Sequence, residues 1–237
     1  MEKPFVVCHM LTSLDGKIDG AYMSTPECGP ALQKYGELRG FYGCEATLYG
    51  TTTMLGGYSA GRAPAELPDT PSYPMEDYVA ESDVQNFIVS VDPAGVLGWE
   101  SKYIEKKGRP RAHVIEVLTE QADPQYLAYL RQFDISYIFA GKESLDCALL
   151  LHKLKTLFGI EKLMVAGGGL MNWSFAQADL LDEVSVVIAP VADGSTSAVS
   201  IFEKADFLPD RAPIAFTLKG VEQINGGGLW LRYTPKK

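Results

Sequence analysis

Apolar residues in this chain fall into short runs separated by turn residues. "PFVVCHMLTS", "EATLYGTTTM", "NFIVSVD", "PRAHVIEVLT", "ISYIFAG", "IEKLMVAGGG" and "DEVSVVIAPVA" are rich in Val, Ile, Phe and Thr and close on Gly, Asp or Pro. Such runs predict strands. Other segments carry apolar residues at helical spacing. "PALQKYGELRGFYGC" predicts a helix with Leu32, Tyr35, Leu38 and Phe41 on its inner face. "DPQYLAYLRQFD" predicts one capped by Asp123 with Pro124 in its first turn. "SLDCALLLHKLKTLFG" predicts one closed by Gly159, and "LMNWSFAQADL" a fourth. The Val- and Ile-rich runs do not alternate cleanly, as expected of strands covered on both faces. Strands alternating with helices predict a three-layer α/β/α fold with a mixed, mostly parallel sheet. "IAFTLKGVEQINGGGLWLRYTP" alternates around "NGGG" and predicts a C-terminal antiparallel hairpin. The proline-rich "RAPAELPDTPSYPMEDY" predicts a surface excursion. With no repeat and no linker, residues 1–237 read as a single domain.

Composition narrows the function. The net charge is -9, which supplies no electrostatic footprint for a nucleic-acid backbone. Cys8, Cys28, Cys44 and Cys147 form no CxxC pair, so free thiols in a reducing compartment are expected and a metal site is not. No apolar run approaches the roughly 18 residues of a membrane helix, and "MEKPFVVCHM" is not a leader peptide. A cytoplasmic protein is the expectation.

Open α/β sheets place ligands at the carboxyl ends of strands. Here the ends read "TSLDGKIDG", "YGTTT", "SVDPAG" and "AGGG". The last is followed by a predicted helix, whose first N–H groups suit an anion. It fits neither GxGxxG nor the Walker pattern, and a tight turn without ligand is an equal reading. "GTTT" also reads as an ordinary helix cap, and Asp92-Pro93 as an ordinary turn. Of the three histidines, His9 alone lies near such an end, while His113 and His152 read as structural. The residues by themselves point to an α/β protein that binds a phosphorylated or nucleotide-like ligand.

Taken in order, "KPFVVCHMLTSLDGKIDG", "ELRGFYGCEATLYGTTT", "NFIVSVDPAGVL" and "EKLMVAGGGLMNWSFAQADLLDEVSVVIAPVADG" resemble the reductase domain of bacterial riboflavin biosynthesis proteins. The resemblance implies a dihydrofolate-reductase-like fold and a homodimer. It also implies hydride transfer from NADPH to 5-amino-6-(5-phosphoribosylamino)uracil, a phosphorylated pyrimidine. Gly50, Thr51 and Thr53 match the first nucleotide turn, Ser90 and Asp92 the adenosine side, and Gly167, Gly168, Gly169 and Leu170 the pyrophosphate loop. Ser13, Asp15 and Gly16 match the loop between nicotinamide and substrate, with His9 and Asp15 as catalytic candidates and Gly57 on the substrate side.

The departures fall on that substrate side. His9, Gly57 and Ala166 stand where the family usually carries lysine, an acid and glutamate. No arginine after "SVD" is placed to grip a 2′-phosphate; Lys102 and Lys142 are the substitutes, and NADH stays open beside NADPH. The family's zinc deaminase signature is absent, so a stand-alone reductase is expected. A reductase acting on dihydrofolate or another small substrate, and a non-catalytic nucleotide-binding relative, are the alternatives.

Overall fold

The computed structural model describes residues 2–69 and 71–236. Its regular elements are β1 (Phe5–Thr12), α1 (Gly29–Tyr42), β2 (Ala46–Gly50), α2 (Thr51–Leu55), β3 (Phe87–Val91), β4 (Tyr103–Ile104), β5 (Ala112–Leu118), α3 (Pro124–Gln132), β6 (Ser136–Phe139), α4 (Cys147–Phe158), β7 (Lys162–Val165), α5 (Gly169–Gln177), β8 (Glu183–Ile188), β9 (Phe216–Gln223) and β10 (Leu229–Pro235). They fall into two compact units. The first comprises residues 1–4 and 45–161, the second residues 5–44 and 162–237.

In the first unit, β2, β3, β5 and β6 run parallel and β4 is antiparallel to β5. All residues of β3, β5 and β6 are buried, which is why their sequences do not alternate. The helix start read from sequence at Asp123 is in place, and a second carboxylate cap stands at Asp146. The Asp123 carboxylate accepts from Gln125 N at 2.9 Å, and the Asp146 carboxylate from Ala148 N and Leu149 N at 2.9 Å. Gly159 closes α4 at φ +67°, a left-handed conformation that glycine adopts at little steric penalty. Among its described residues, the proline-rich excursion carries no regular element. It is tied down by bridges from Arg62 to Leu97 and from Tyr78 to Tyr137.

In the second unit, β1 lies between β7 and β8, parallel to both. The predicted C-terminal hairpin follows: β10 is antiparallel to both β8 and β9. Helix α1 differs from its expected packing. Ala31, Leu38 and Tyr42 are buried, whereas Leu32 and Phe41 are 43% and 61% exposed. A strict three-residue spacing drifts by about 60° per step around a 3.6-residue helix, so 32, 35, 38 and 41 cannot share one face. Exposed Phe41 instead meets the Trp230 ring edge-on at 5.3 Å.

The family-like "LLDEV" also has a structural task here. Asp182 Oδ2 accepts from Val6 N at 2.8 Å, and buried Glu183 accepts from Tyr42 Oη at 2.6 Å while pairing with Lys219. The close approach that ties α5 down lies at Gly169. A β-carbon there would collide with the Ser200 carbonyl oxygen, well inside contact distance. At Gly168 a β-carbon would meet nothing within 4 Å. We therefore expect Gly169→Ala to lose about 1–3 kcal/mol of stability through overpacking and Gly168→Ala to lose almost none. Urea denaturation of the two variants checks this, and equal midpoints would refute the assignment.

Candidate active site

The end of β1 is a self-bonded loop. Ser13 N donates to Lys17 O at 2.9 Å, Gly16 N to Ser13 O at 3.0 Å, and Lys17 N to Ser13 Oγ at 2.9 Å. Gly16 takes φ +78°, which explains the glycine in "SLDGK". Ser13 Oγ donates to Asp15 Oδ1 at 2.6 Å, and the same carboxylate accepts from Asp193 N and Gly194 N, each at 2.9 Å. The loop is thereby clasped to residues 191–200. Leu14 N bonds Val191 O at 2.8 Å, Ile18 N bonds Val199 O at 2.9 Å, and Lys17 Nζ bonds Ala198 O at 3.0 Å.

This geometry weighs against the catalytic reading of Asp15. Its hydrogen bond from Ser13, reinforced by the two backbone N–H groups, holds the carboxyl well below the usual carboxylate range. An ionised carboxylate with three donors on it is an anchor, not a proton source. Ser13 is buried with its hydroxyl spent on the clasp. Ser13 and Gly16 nevertheless stand on the wall of an apolar cavity of about 300 Å³, with Val186, Ile188, Phe202 and Tyr233.

The surroundings of His9 weigh against its catalytic reading in the same way. His9 is completely buried, with Nδ1 2.9 Å from Ser185 Oγ and Nε2 3.0 Å from Tyr35 O, and its ring stacks on Tyr35 at 4.5 Å. Burial, with a further contribution from Arg39, pushes its pKa down to about 4. Both nitrogens are engaged inside the protein, so His9 packs α1 onto β1 and β8 and offers substrate no proton. Ala166 is buried too.

The segment beyond the clasp reaches the start of α5. Glu203 N donates to Gly169 O at 3.1 Å, and Asn172 Nδ2 to Ile201 O at 2.7 Å. Gly168 is the N-cap, at φ −62° and ψ 171°, so no backbone strain demands glycine there. What distinguishes α5 from α3 and α4 is its missing cap: no side chain bonds its first N–H groups. Gly167 and Gly169 are buried, Gly168 and Leu170 half-buried. A bare, uncapped helix start with open space over Gly168 fits a pyrophosphate.

In the first unit the predicted residues divide. Gly50 is the N-cap of α2, again without a side-chain cap. Thr51 Oγ1 donates to Val91 O at 2.9 Å, and Thr53 is half-buried. Ser90 is fully buried beside the Glu116 carboxyl, so its side chain is unavailable to a ribose. Asp92 is 1% exposed, and its Oδ2 accepts from Val96 N at 2.6 Å and Leu97 N at 2.8 Å. Asp92 therefore builds its own Asp-Pro turn, and desolvation raises its pKa. Gly57 sits at φ +129°, with nothing within 4 Å of where a β-carbon would stand. Its conformation disfavours the acid usual in the family. Lys102 is neutralised by Asp134.

Sequence reasoning missed one polar cluster in this unit. Arg109 Nη1 donates to Tyr49 Oη at 2.8 Å and to Tyr58 Oη at 2.7 Å, and Lys106 Nζ bonds Gly57 O. The one available signal was "EKKGRPR", a basic run in an acidic chain.

Comparison with known proteins fits this geometry. Residues 4–229 match the model of the RibD C-terminal domain. The chain belongs to this family. It is 29% identical to the 2,5-diamino-6-ribosylamino-4(3H)-pyrimidinone 5′-phosphate reductase of Methanothermobacter thermautotrophicus, over 99% of each chain. Among solved structures, a pyrimidine reductase-like protein of Corynebacterium diphtheriae superposes with a TM-score of 0.69 at 15% identity, covering 99% of this chain and 92% of that one. Acinetobacter baumannii RibD gives 0.63 at 18% identity, covering 99% of this chain and 58% of that one. The chain thus spans little more than half of that RibD. The fold is the dihydrofolate-reductase-like α/β fold of these reductases, and the chain is similar over its whole length to a riboflavin-pathway reductase. No helix among the described residues is long and apolar enough to cross a membrane.

The buried His9 sets an acid limit to stability. Its pKa is about 4 when folded and about 6.5 when unfolded. Between these values the unfolded chain binds the extra proton, so stability is full above the upper value and falls as pH drops through the window. The loss from this residue is on the order of 2 kcal/mol at pH 5. His9→Gln should flatten the dependence of the urea midpoint on pH between 7 and 5, and an unchanged slope would mean that His9 is not buried neutral.

Proposed function

We propose that this protein reduces 2,5-diamino-6-ribosylamino-4(3H)-pyrimidinone 5′-phosphate to its ribityl counterpart, with NADPH as hydride donor. The carrying observation is the match along 99% of both chains to a reductase of that name. Reductases of this kind draw on a nicotinamide cofactor, which supplies the hydride. The protein supplies position and electrostatics, and the surroundings of His9 and Asp15 agree with that division of labour. In this reading the uncapped start of α5, at Gly167, Gly168, Gly169 and Leu170, seats the pyrophosphate. Gly50, Thr51 and Thr53 serve the nucleotide through backbone and hydroxyl groups. Ser13 and Gly16 shape the apolar wall against which a flat ring lies. Asp15 acts through the loop it holds. The chain works as one reductase domain and as a cytoplasmic homodimer.

The named relative's substrate keeps an amino group at pyrimidine position 2, where the uracil compound carries oxygen. The diamino compound is therefore the first choice. The decisive assay follows loss of reduced-nicotinamide absorbance with the diamino pyrimidinone, the uracil compound and dihydrofolate, each with NADPH and with NADH. Turnover is expected with the diamino compound and NADPH. Turnover with dihydrofolate alone would overturn the substrate, and turnover with none would overturn the enzyme reading.

Two substitutions separate seat from fold. Aspartate is a preferred N-cap, so Gly168→Asp should leave the fold intact or slightly stabilised. Its carboxylate would take the anion's place and lower NADPH affinity by roughly a hundredfold. Undiminished affinity in a fluorescence titration would remove the pyrophosphate from α5. Asp15→Asn should keep kcat within about tenfold, because loss of a general acid typically lowers it 10²–10⁴-fold.

A further inference from the structure

The Lys106–Arg109 turn presents two cations whose hydrogen bonds go to neutral oxygens. Arg109 N donates to Lys106 O at 3.0 Å and Gly108 takes φ +77°, so a tight turn presents Lys106 and Arg109 together. Four other cations of the first unit are paired with carboxylates: Lys102 with Asp134, Arg111 with Asp83, Lys153 with Asp77 and Lys155 with Glu161. Lys106 and Arg109 instead bond neutral oxygens, those of Gly57 and of the Tyr49 and Tyr58 phenols. The Tyr58 ring lies 4.7 Å from that of Tyr49, with Lys106 Nζ 5.2 Å and the Arg109 guanidinium 5.8 Å from its centroid.

A guanidinium has five N–H donors in a rigid fork. Here both bonds to the phenols use Nη1, which fixes the plane and leaves the other edge of the fork for a bidentate anion. The ammonium of Lys106 lies over the same tyrosine ring. Two cations held by neutral groups keep their full charge, which suits a dianion.

We propose that Arg109 and Lys106, oriented by Tyr49 and Tyr58, form the subsite for a phosphate monoester dianion carried by one of the two reactants. This rests on the reductase reading for the identity of those reactants, not for the binding itself. The dianion is either the 5′-phosphate of the pyrimidine substrate or the 2′-phosphate that distinguishes NADPH from NADH.

The test uses the whole chain and the variants Arg109→Met, Arg109→Lys, Lys106→Met and Tyr58→Phe, each checked for an unchanged thermal midpoint. Calorimetry with ribose 5-phosphate, and fluorescence titration with NADPH and NADH, read binding without turnover. Arg109→Met should weaken one phosphate-bearing ligand roughly ten- to a hundredfold. Arg109→Lys should restore part of that affinity, and Tyr58→Phe should weaken it less. A loss confined to ribose 5-phosphate assigns the substrate's phosphate. A loss for NADPH but not NADH assigns the cofactor's. Unchanged binding of both ligands, or equal losses for NADPH and NADH with none for ribose 5-phosphate, overturns the proposal. Failure of the pyrimidinone assay leaves these binding outcomes readable, so the two readings fail separately.

Discussion

The second unit depends on one steric constraint, the absence of a side chain at Gly169. Only glycine lets the Ser200 carbonyl come as close as it does to where a β-carbon would stand. That approach lets Glu203 N and Ile201 O bond the first turn of α5. The strap from 191 to 203 is then fixed at one end on α5 and at the other on the "SLDGK" loop, where the Asp15 carboxylate accepts from Asp193 N and Gly194 N. A single chain segment thus sets two features at once, an uncapped helix start and the wall of an apolar cavity. Overpacking at Gly169 would disturb both, although neither is a contact of that residue.

This divides the work of three glycines that look alike in sequence. Gly169 answers to packing. Gly168 answers to neither packing nor dihedral angle, since its φ of −62° suits any residue and its surroundings are open. A position where a side chain would be tolerated by the fold, at the start of a helix that lacks a cap, leaves room for the pyrophosphate proposed above. Helices α3 and α4 differ in this respect, each starting on a carboxylate cap, Asp123 and Asp146.

Local chemistry is the readable part of the sequence. The cap of α3, the left-handed Gly159, the buried parallel strands and the NGGG hairpin are set by residues within a few positions of each other, and each stands as expected. The inner face of α1 is the exception, because a three-residue spacing does not define one face of a helix. The site is less legible, for a physical reason. Whether His9 is a catalyst or a core residue depends on Ser185, which lies 176 positions away. Whether Asp15 is an acid or an anchor depends on backbone N–H groups 178 and 179 positions away. Those partners are backbone or common polar residues with no signature of their own. The chemical identity of a side chain is local, whereas its protonation state and its accessibility are not.

Charge gives the last step. The chain carries a net charge of -9, and a reactant bearing phosphates is repelled by such a surface at long range. Screening confines that repulsion to about 10 Å in ordinary salt, so a local arrangement decides binding. An anion seat in an acidic protein can be built from backbone dipoles, which carry no countercharge, or from cations kept away from carboxylates. The seat proposed at the start of α5 is of the first kind. The subsite proposed at the Lys106–Arg109 turn is of the second, because tyrosine hydroxyls orient its guanidinium without neutralising it. Orientation by a carboxylate, as at Lys102 and Arg111, would give the same rigidity and cancel the field. The choice of phenols over carboxylates at Arg109 therefore has an electrostatic consequence: it leaves the charge available to a ligand.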